Sequence, residues 1–207
     1  MLAKEAFAAA LPPAASPAEP LPMEDVSLAQ ALIEGRREAA PFAWRRFHPI
    51  VQMTLRRMLG SGPDLADLTQ EVFLRFFGKV RELRKLESLR FFVTSIAIRR
   101  AQEEIKRRRV RRWAAPQLLH SVQQPPLAAS PEARDMLSHV ARVMGALDPV
   151  DRSVYILRHV DGLELAEIAR TLDTSISTVR RRLRRVAKRV EALDEDRALD
   201  RPERGRA

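Results

Sequence analysis

From about residue 24 to residue 193, apolar residues recur at intervals of three and four, the period of a helix surface. No run alternates with the period of two that a half-buried strand requires. This pattern predicts an all-α protein. The chain has only seven glycines. Its Asp161-Gly162 pair, a common hairpin signal, lies between two helical patterns and not between alternating ones. With 207 residues and domains of about 100–200 residues as a guide, one or two small domains with modest cores are expected, and a large single-sheet enzyme is excluded.

The periodicity fails in one internal stretch. Ala114-Ala115-Pro116, then Gln123-Gln124-Pro125-Pro126 and Ser130-Pro131, place four prolines where no apolar repeat survives. Two small helical domains joined by a flexible linker are therefore expected, at 24–113 and 132–193 with the linker at 114–131. Residues 1–23, rich in Pro and Ala, are expected to be a disordered leader. Its opening faintly imitates a signal peptide, but Glu5 interrupts the apolar run and Pro12-Pro13 break it. Residues 194–207 mix acidic and basic side chains and are expected to form a mobile tail.

Within the first block, Phe47, Val51, Leu55 and Met58 mark an amphipathic helix that Gly60-Ser61-Gly62-Pro63 ends. The next helix is expected to start with Asp64 as its cap and to turn Leu65, Leu68, Val72, Phe73 and Phe76 inward. Asp67, Gln70, Glu71 and Arg75 then face outward. A third helix, from about Ser88 to Arg112, begins with Phe91, Phe92, Val93 and Ile96. It ends in Lys106-Arg107-Arg108-Arg109-Val110-Arg111-Arg112, six basic residues in seven. A solvated helix end explains such a run by itself, and one of two adjacent Phe can simply pack inward. Both readings compete with a nucleic-acid surface.

The sharpest local signal spans Asp161 to Val190. Leu165, Ile168, Ala169 and Leu172 form the inner face of a short helix, Asp173-Thr174-Ser175 interrupts it, and Ile176, Val179, Leu183, Val186 and Val190 form the inner face of another. This is a helix-turn-helix pattern, with Asp173 at the position that must tolerate a left-handed backbone. At about 100° per residue, Ser177, Thr178, Arg181, Arg185 and Lys188 lie opposite the apolar face, flanked by Arg180, Arg182, Arg184 and Arg189. Seven basic and no acidic residues between Val179 and Val190 repel one another on a free helix and are best accommodated beside phosphates. Upstream, Asp148-Pro149 predicts a capped helix through Val154 and Leu157, and Met136, Val140, Val143, Met144 and Leu147 predict another.

The overall charge agrees. Thirty-seven Lys and Arg against 27 Asp and Glu leave a net charge of +10, which favours a polyanionic partner. Cysteine is absent, so disulfides, thiolate nucleophiles and Cys-based metal sites are excluded. His48, His120, His139 and His159 are scattered without ligand spacing, and no glycine-rich phosphate loop occurs. The expectation is a non-enzymatic, cofactor-free cytoplasmic protein that binds neither metal nor membrane.

The two blocks together resemble bacterial RNA polymerase sigma factors of the extracytoplasmic-function group. Asp64-Leu65-Ala66-Asp67-Leu68-Thr69-Gln70-Glu71-Val72-Phe73-Leu74-Arg75 is similar to sigma region 2.2. The resemblance implies that Asp67, Gln70 and Glu71 contact the core polymerase. Leu89 through Arg112 is similar to regions 2.3 and 2.4, which open the duplex and read the -10 element, and this carries over to Phe91, Phe92, Arg99, Arg100, Lys106 and Arg107. Phe92 stands where the family commonly has Trp, and Arg99 where Asn is common. Leu147-Asp148-Pro149-Val150-Asp151-Arg152 and the helix-turn-helix resemble region 4, which reads the -35 element. Ser177, Thr178, Arg180, Arg181, Arg184 and Arg185 fall on its recognition stretch. The implied partners are RNA polymerase core, double-stranded and melted promoter DNA, and, as a further candidate, an anti-sigma factor. Two other readings stay open: a stand-alone helix-turn-helix regulator, which leaves the Asp64–Arg75 helix unexplained, and a sigma mimic that sequesters an anti-sigma factor.

Overall fold

The computed structural model describes residues 24–62, 64–114 and 131–199, with side chains described at 24–62, 64–111 and 138–195. The expected leader, nearly all of the linker and the last eight residues lie outside them. The described residues are helical and contain no strand. The elements are α1 (Asp25–Ile33), α2 (Ala39–Leu59), α3 (Leu65–Lys79), short 3₁₀ turns at Val80–Glu82 and Leu86–Ser88, α4 (Leu89–Ala114), α5 (Pro131–Ala146), α6 (Pro149–His159), α7 (Leu165–Thr171) and α8 (Ile176–Leu199). None of the described helices is long and apolar enough to cross a membrane. The chain divides into two compact units, Met1–Glu104 and Ile105–Ala207, with the division inside α4.

The first unit closes around aromatic rings. The α2 stripe Ala43, Phe47, Val51, Leu55 and Met58 is buried, as is Leu68, Val72, Phe73 and Phe76 of α3. Phe73 and Phe76 meet edge-on at 6.2 Å, Phe47 packs on Phe76, and Trp44 covers Phe73 at 4.3 Å. Each such ring removes a large apolar area from water, so a few rings suffice for a small core. Gly60 ends α2 at φ 81°, a left-handed conformation that suits glycine. Asp64 stands at the start of α3, but its backbone is already helical and its side chain makes no capping hydrogen bond. The expected cap is therefore not formed.

The second unit is built on aliphatic side chains. Val143, Leu147, Val154, Leu157, Ile168, Val179 and Val186 are buried. Asp148 caps α6 as expected, its Oδ1 accepting the N–H groups of Val150 and Asp151 at 2.8 and 3.0 Å, with Pro149 at the first helical position. Burial opposes the Asp148 charge, but the two N–H donors and the nearby Arg182 overcome it and hold the carboxyl below its ordinary value.

The last helix runs on to Leu199, six residues into the segment expected to be a mobile tail. Two features extend it. Leu193 continues the inner stripe of Val186 and Val190 at helical spacing, and Asp194 pairs with His139 Nε2 of α5 at 2.8 Å.

Candidate functional site

The helix-turn-helix is assembled from local hydrogen bonds. Glu167 reaches back to accept the Glu164 N–H at 2.9 Å, which fixes the start of α7. Arg158 of α6 donates to the Leu163 carbonyl at 3.0 Å and holds the preceding turn. After α7 the chain reverses through Asp173, whose φ of 51° makes it the one non-glycine residue with a left-handed backbone among the described residues. Ser175 then starts α8, its Oγ accepting the Thr178 N–H at 3.2 Å and lying 2.8 and 2.9 Å from the Ser177 and Thr178 hydroxyls.

These turns fix which side of α8 is presented. Val179 and Val186 are buried, while Ser177, Arg180, Arg181, Arg184, Arg185, Lys188 and Arg189 are exposed and Thr178 is half-buried. Ile176, expected inward, is 40% exposed, because it opens the helix before the stripe reaches the core. Two of the arginines are tethered. Asp151 of α6, 5% exposed, takes Arg182 Nη1 on Oδ1 at 2.7 Å and has Arg185 Nε 3.4 Å from Oδ2. Asp148 lies 4.0 Å from the same Arg182 nitrogen. One carboxylate at the start of α6 thus sets the roll of α8. Sequence reasoning missed this role for Asp151; its place three residues after a capping Asp, one turn into the helix, was the available signal.

In the first unit, α3 presents Asp67 and Gln70 to solvent, and Glu71 is partly exposed. On α4, which crosses the division, Arg99 of the first unit and Lys106 and Arg107 of the second are exposed, while Phe91 and Phe92 are half-buried, Phe92 packing on Phe76 at 6.2 Å. Arg100 does not join this exposed set. It is 6% exposed, its Nε donates to Glu71 Oε2 at 2.5 Å, and its Nη2 lies 3.5 Å from Glu104 Oε2. Burial disfavours the charged guanidinium, but the Glu71 hydrogen bond and the surrounding carboxylates outweigh it and raise its affinity for the proton. The helical period accounts for the position: Val93, Ala97, Arg100 and Glu104 follow one another at four, three and four, so Arg100 sits on the inner face. Beside it, Arg75 Nη1 meets Glu103 Oε2 at 2.8 Å and forms a second, exposed bridge between α3 and α4.

No group of three or more His, Asp or Glu among the described residues is arranged to hold a metal ion. What the two units offer is an acidic and amide patch on α3, a basic end on α4, and a one-sided basic helix projecting from a helix-turn-helix. Such surfaces bind other macromolecules through charge and hydrogen bonding.

Comparison with known proteins gives a concordant result. Residues 43–111 match the Sigma-70 region 2 family, and residues 139–190 match Sigma-70, region 4. The ferric citrate uptake sigma factor FecI of Escherichia coli (strain K12) is 31% identical over 148 residues, spanning 70% of this chain and 82% of that protein. Among solved structures, CnrH in complex with the cytosolic domain of CnrY is similar in fold, with a TM-score of 0.59 at 20% identity over 83% of this chain and 97% of that one. The sigma factor RpoE in complex with the anti-sigma factor NepR, from Bartonella quintana, gives 0.53 at 16% identity over 76% and 96%.

Proposed function

Since the chain belongs to the sigma-70 family, as an extracytoplasmic-function sigma factor with regions 2 and 4 that binds core RNA polymerase and directs promoter recognition, we propose how that work is divided among its residues. Asp67, Gln70 and Glu71 on α3 dock on the polymerase. Arg99, Lys106 and Arg107 on α4 hold the backbone of melted -10 DNA, with Phe91 and Phe92 offering ring surface on which bases stack. Ser177, Thr178, Arg180, Arg181, Arg184 and Arg185 on α8 meet the -35 element in the major groove, where Arg reads guanine edges and the hydroxyls reach bases or phosphates. Arg100 is left out of the DNA set because it is buried and ion-paired.

On this reading residues 24–113 act as the polymerase and -10 domain, residues 132–193 as the -35 domain, and 114–131 as the linker between them. The chain works by recruitment in the cytoplasm and catalyses nothing itself. An anti-sigma factor is a further partner, supported by the two fold neighbours, each of which was solved in a complex.

The observation that carries the division is the exposure of one acidic patch and one basic face on separate units. Paired variants test it. Asp67→Ala with Glu71→Ala should weaken binding to core polymerase and leave upstream DNA affinity intact. Arg181→Ala with Arg184→Ala should spare polymerase binding, weaken promoter binding, and reduce the slope of log affinity against log salt by about 0.9 per lost phosphate contact. Loss of both activities in either variant, with helicity unchanged, contradicts the division.

A further inference from the structure

Arg100 joins two helices to which different partners have been assigned, yet it faces neither partner. Its guanidinium is shared between two carboxylates of unlike exposure. Glu71 on α3 keeps 45% of its side chain open to solvent, whereas Glu104, one turn along α4 from Arg100, keeps 2%. The bond to Glu71 is the shorter, 2.5 Å against 3.5 Å.

This asymmetry has a mechanical consequence. A glutamate on a helix surface samples several rotamers, and fixing one on binding costs side-chain entropy. Glu71 is already fixed from beneath by Arg100. A buried guanidinium must in turn keep a counter-charge, since leaving it unpaired is strongly unfavourable. If Glu71 were its sole counter-ion, any cation that drew on the Glu71 carboxylate would compete directly with Arg100. Glu104 removes that conflict, because Arg100 stays paired while Glu71 accepts a second donor from outside. A carboxylate has lone pairs enough for both.

We propose that Arg100 is a positioning residue for polymerase docking: it holds the Glu71 carboxylate ready on α3, and Glu104 is the buried counter-ion that keeps Arg100 in place. The inference rests on the assignment of Glu71 as a polymerase contact. Arg100 therefore serves the polymerase-binding surface although it lies on the helix whose other cations serve DNA.

A double-mutant cycle on the full chain separates this from simple packing between α3 and α4. Affinity for purified core RNA polymerase is measured for the wild type, Glu71→Ala, Arg100→Lys and the combination, with thermal unfolding followed in parallel. Arg100→Lys keeps the charge but loses the planar fork that reaches two carboxylates. Glu71→Ala should weaken binding about tenfold, the scale of one hydrogen bond to a charged group. Arg100→Lys should weaken it several-fold in the wild-type background and add nothing once Glu71 is gone. Glu104→Gln should behave as Arg100→Lys does, and it keeps the test available if the lysine variant fails to fold. Equal losses in both backgrounds, or wild-type affinity of the Arg100 and Glu104 variants, would overturn the proposal. Unchanged affinity of Glu71→Ala itself would instead overturn the contact assignment on which it rests.

Discussion

The two units solve one problem with different materials. Each holds a cationic helix in a fixed orientation while keeping part of its charge exposed. The first unit sets the part of α4 up to Glu104 against a core of rings, Phe47, Phe73, Phe76 and Trp44, and ties it with arginines to acids across α3 and α4. The second has, among the described residues, an aliphatic core and fixes α8 through Asp151 at the start of α6, which gathers Arg182 and Arg185. In each, an acid ties down an arginine of the basic helix, Arg100 by Glu71 and Arg182 by Asp151. A basic helix therefore contains two populations of arginine, and composition does not distinguish them.

Removing an aromatic side chain should give the largest effect and expose the contrast between the cores. Phe73→Ala deletes a fully buried ring and should cost about 3–5 kcal/mol. Thermal unfolding followed by circular dichroism should show the first unit melting early while the second keeps its transition. A single shared transition displaced as a whole would show that the cores are not independent. Asp151→Ala attacks the second unit's anchor. Its partners are partly exposed, so the loss should be about 1–3 kcal/mol, and -35 DNA binding should fall with it. Retained stability and DNA affinity in this variant would show that Asp151 does not orient α8.

A smaller effect of opposite sign is expected at the turn. Asp173 holds φ at 51°, a conformation that costs a non-glycine residue about 1 kcal/mol. Asp173→Gly should accordingly raise the melting temperature of the second unit slightly, and a fall would show that the Asp side chain contributes there. The smallest expected effect concerns acid. Asp148 is held below its ordinary carboxylate value, so its contribution is fully present above the unfolded value of about 3.9 and is lost as pH falls through the folded one. Asp148→Asn should flatten that part of the acid unfolding curve for the second unit, and an unchanged curve would count against the cap as the source.

Much of this was legible in the sequence because helical spacing determines which residues can share a face. The inner stripes of α2 and α3, the Asp148 cap, and the left-handed turn at Asp173 follow from spacing and residue type. What was missed depends on partners distant in sequence. Arg100 looked like a DNA contact because it sits in a basic helix, although its spacing from Val93 and Ala97 already placed it inside; the buried carboxylate of Glu104 makes that placement tolerable. Asp64 looked like a cap, but the chain is already helical where it stands. The end of α8 looked mobile from its mixed charge, whereas Leu193 and the Asp194–His139 pair carry the helix onward. The role proposed for Asp67, Gln70 and Glu71 rests on resemblance alone, since an outward Asp, Gln and Glu on a helix are also what solvation produces.

On the proposed division, this chain confers promoter recognition on RNA polymerase through two separately acting surfaces. This is tested most directly by run-off transcription from a fragment library of the source genome, using core polymerase reconstituted with the wild-type chain, with Asp67→Ala/Glu71→Ala, or with Arg181→Ala/Arg184→Ala. Discrete new transcripts are expected with the wild type. Excess protein should restore them for the α3 variant but not for the α8 variant at promoters that depend on the -35 element. A wild-type chain that co-elutes with the polymerase yet yields no new start sites would contradict this reading.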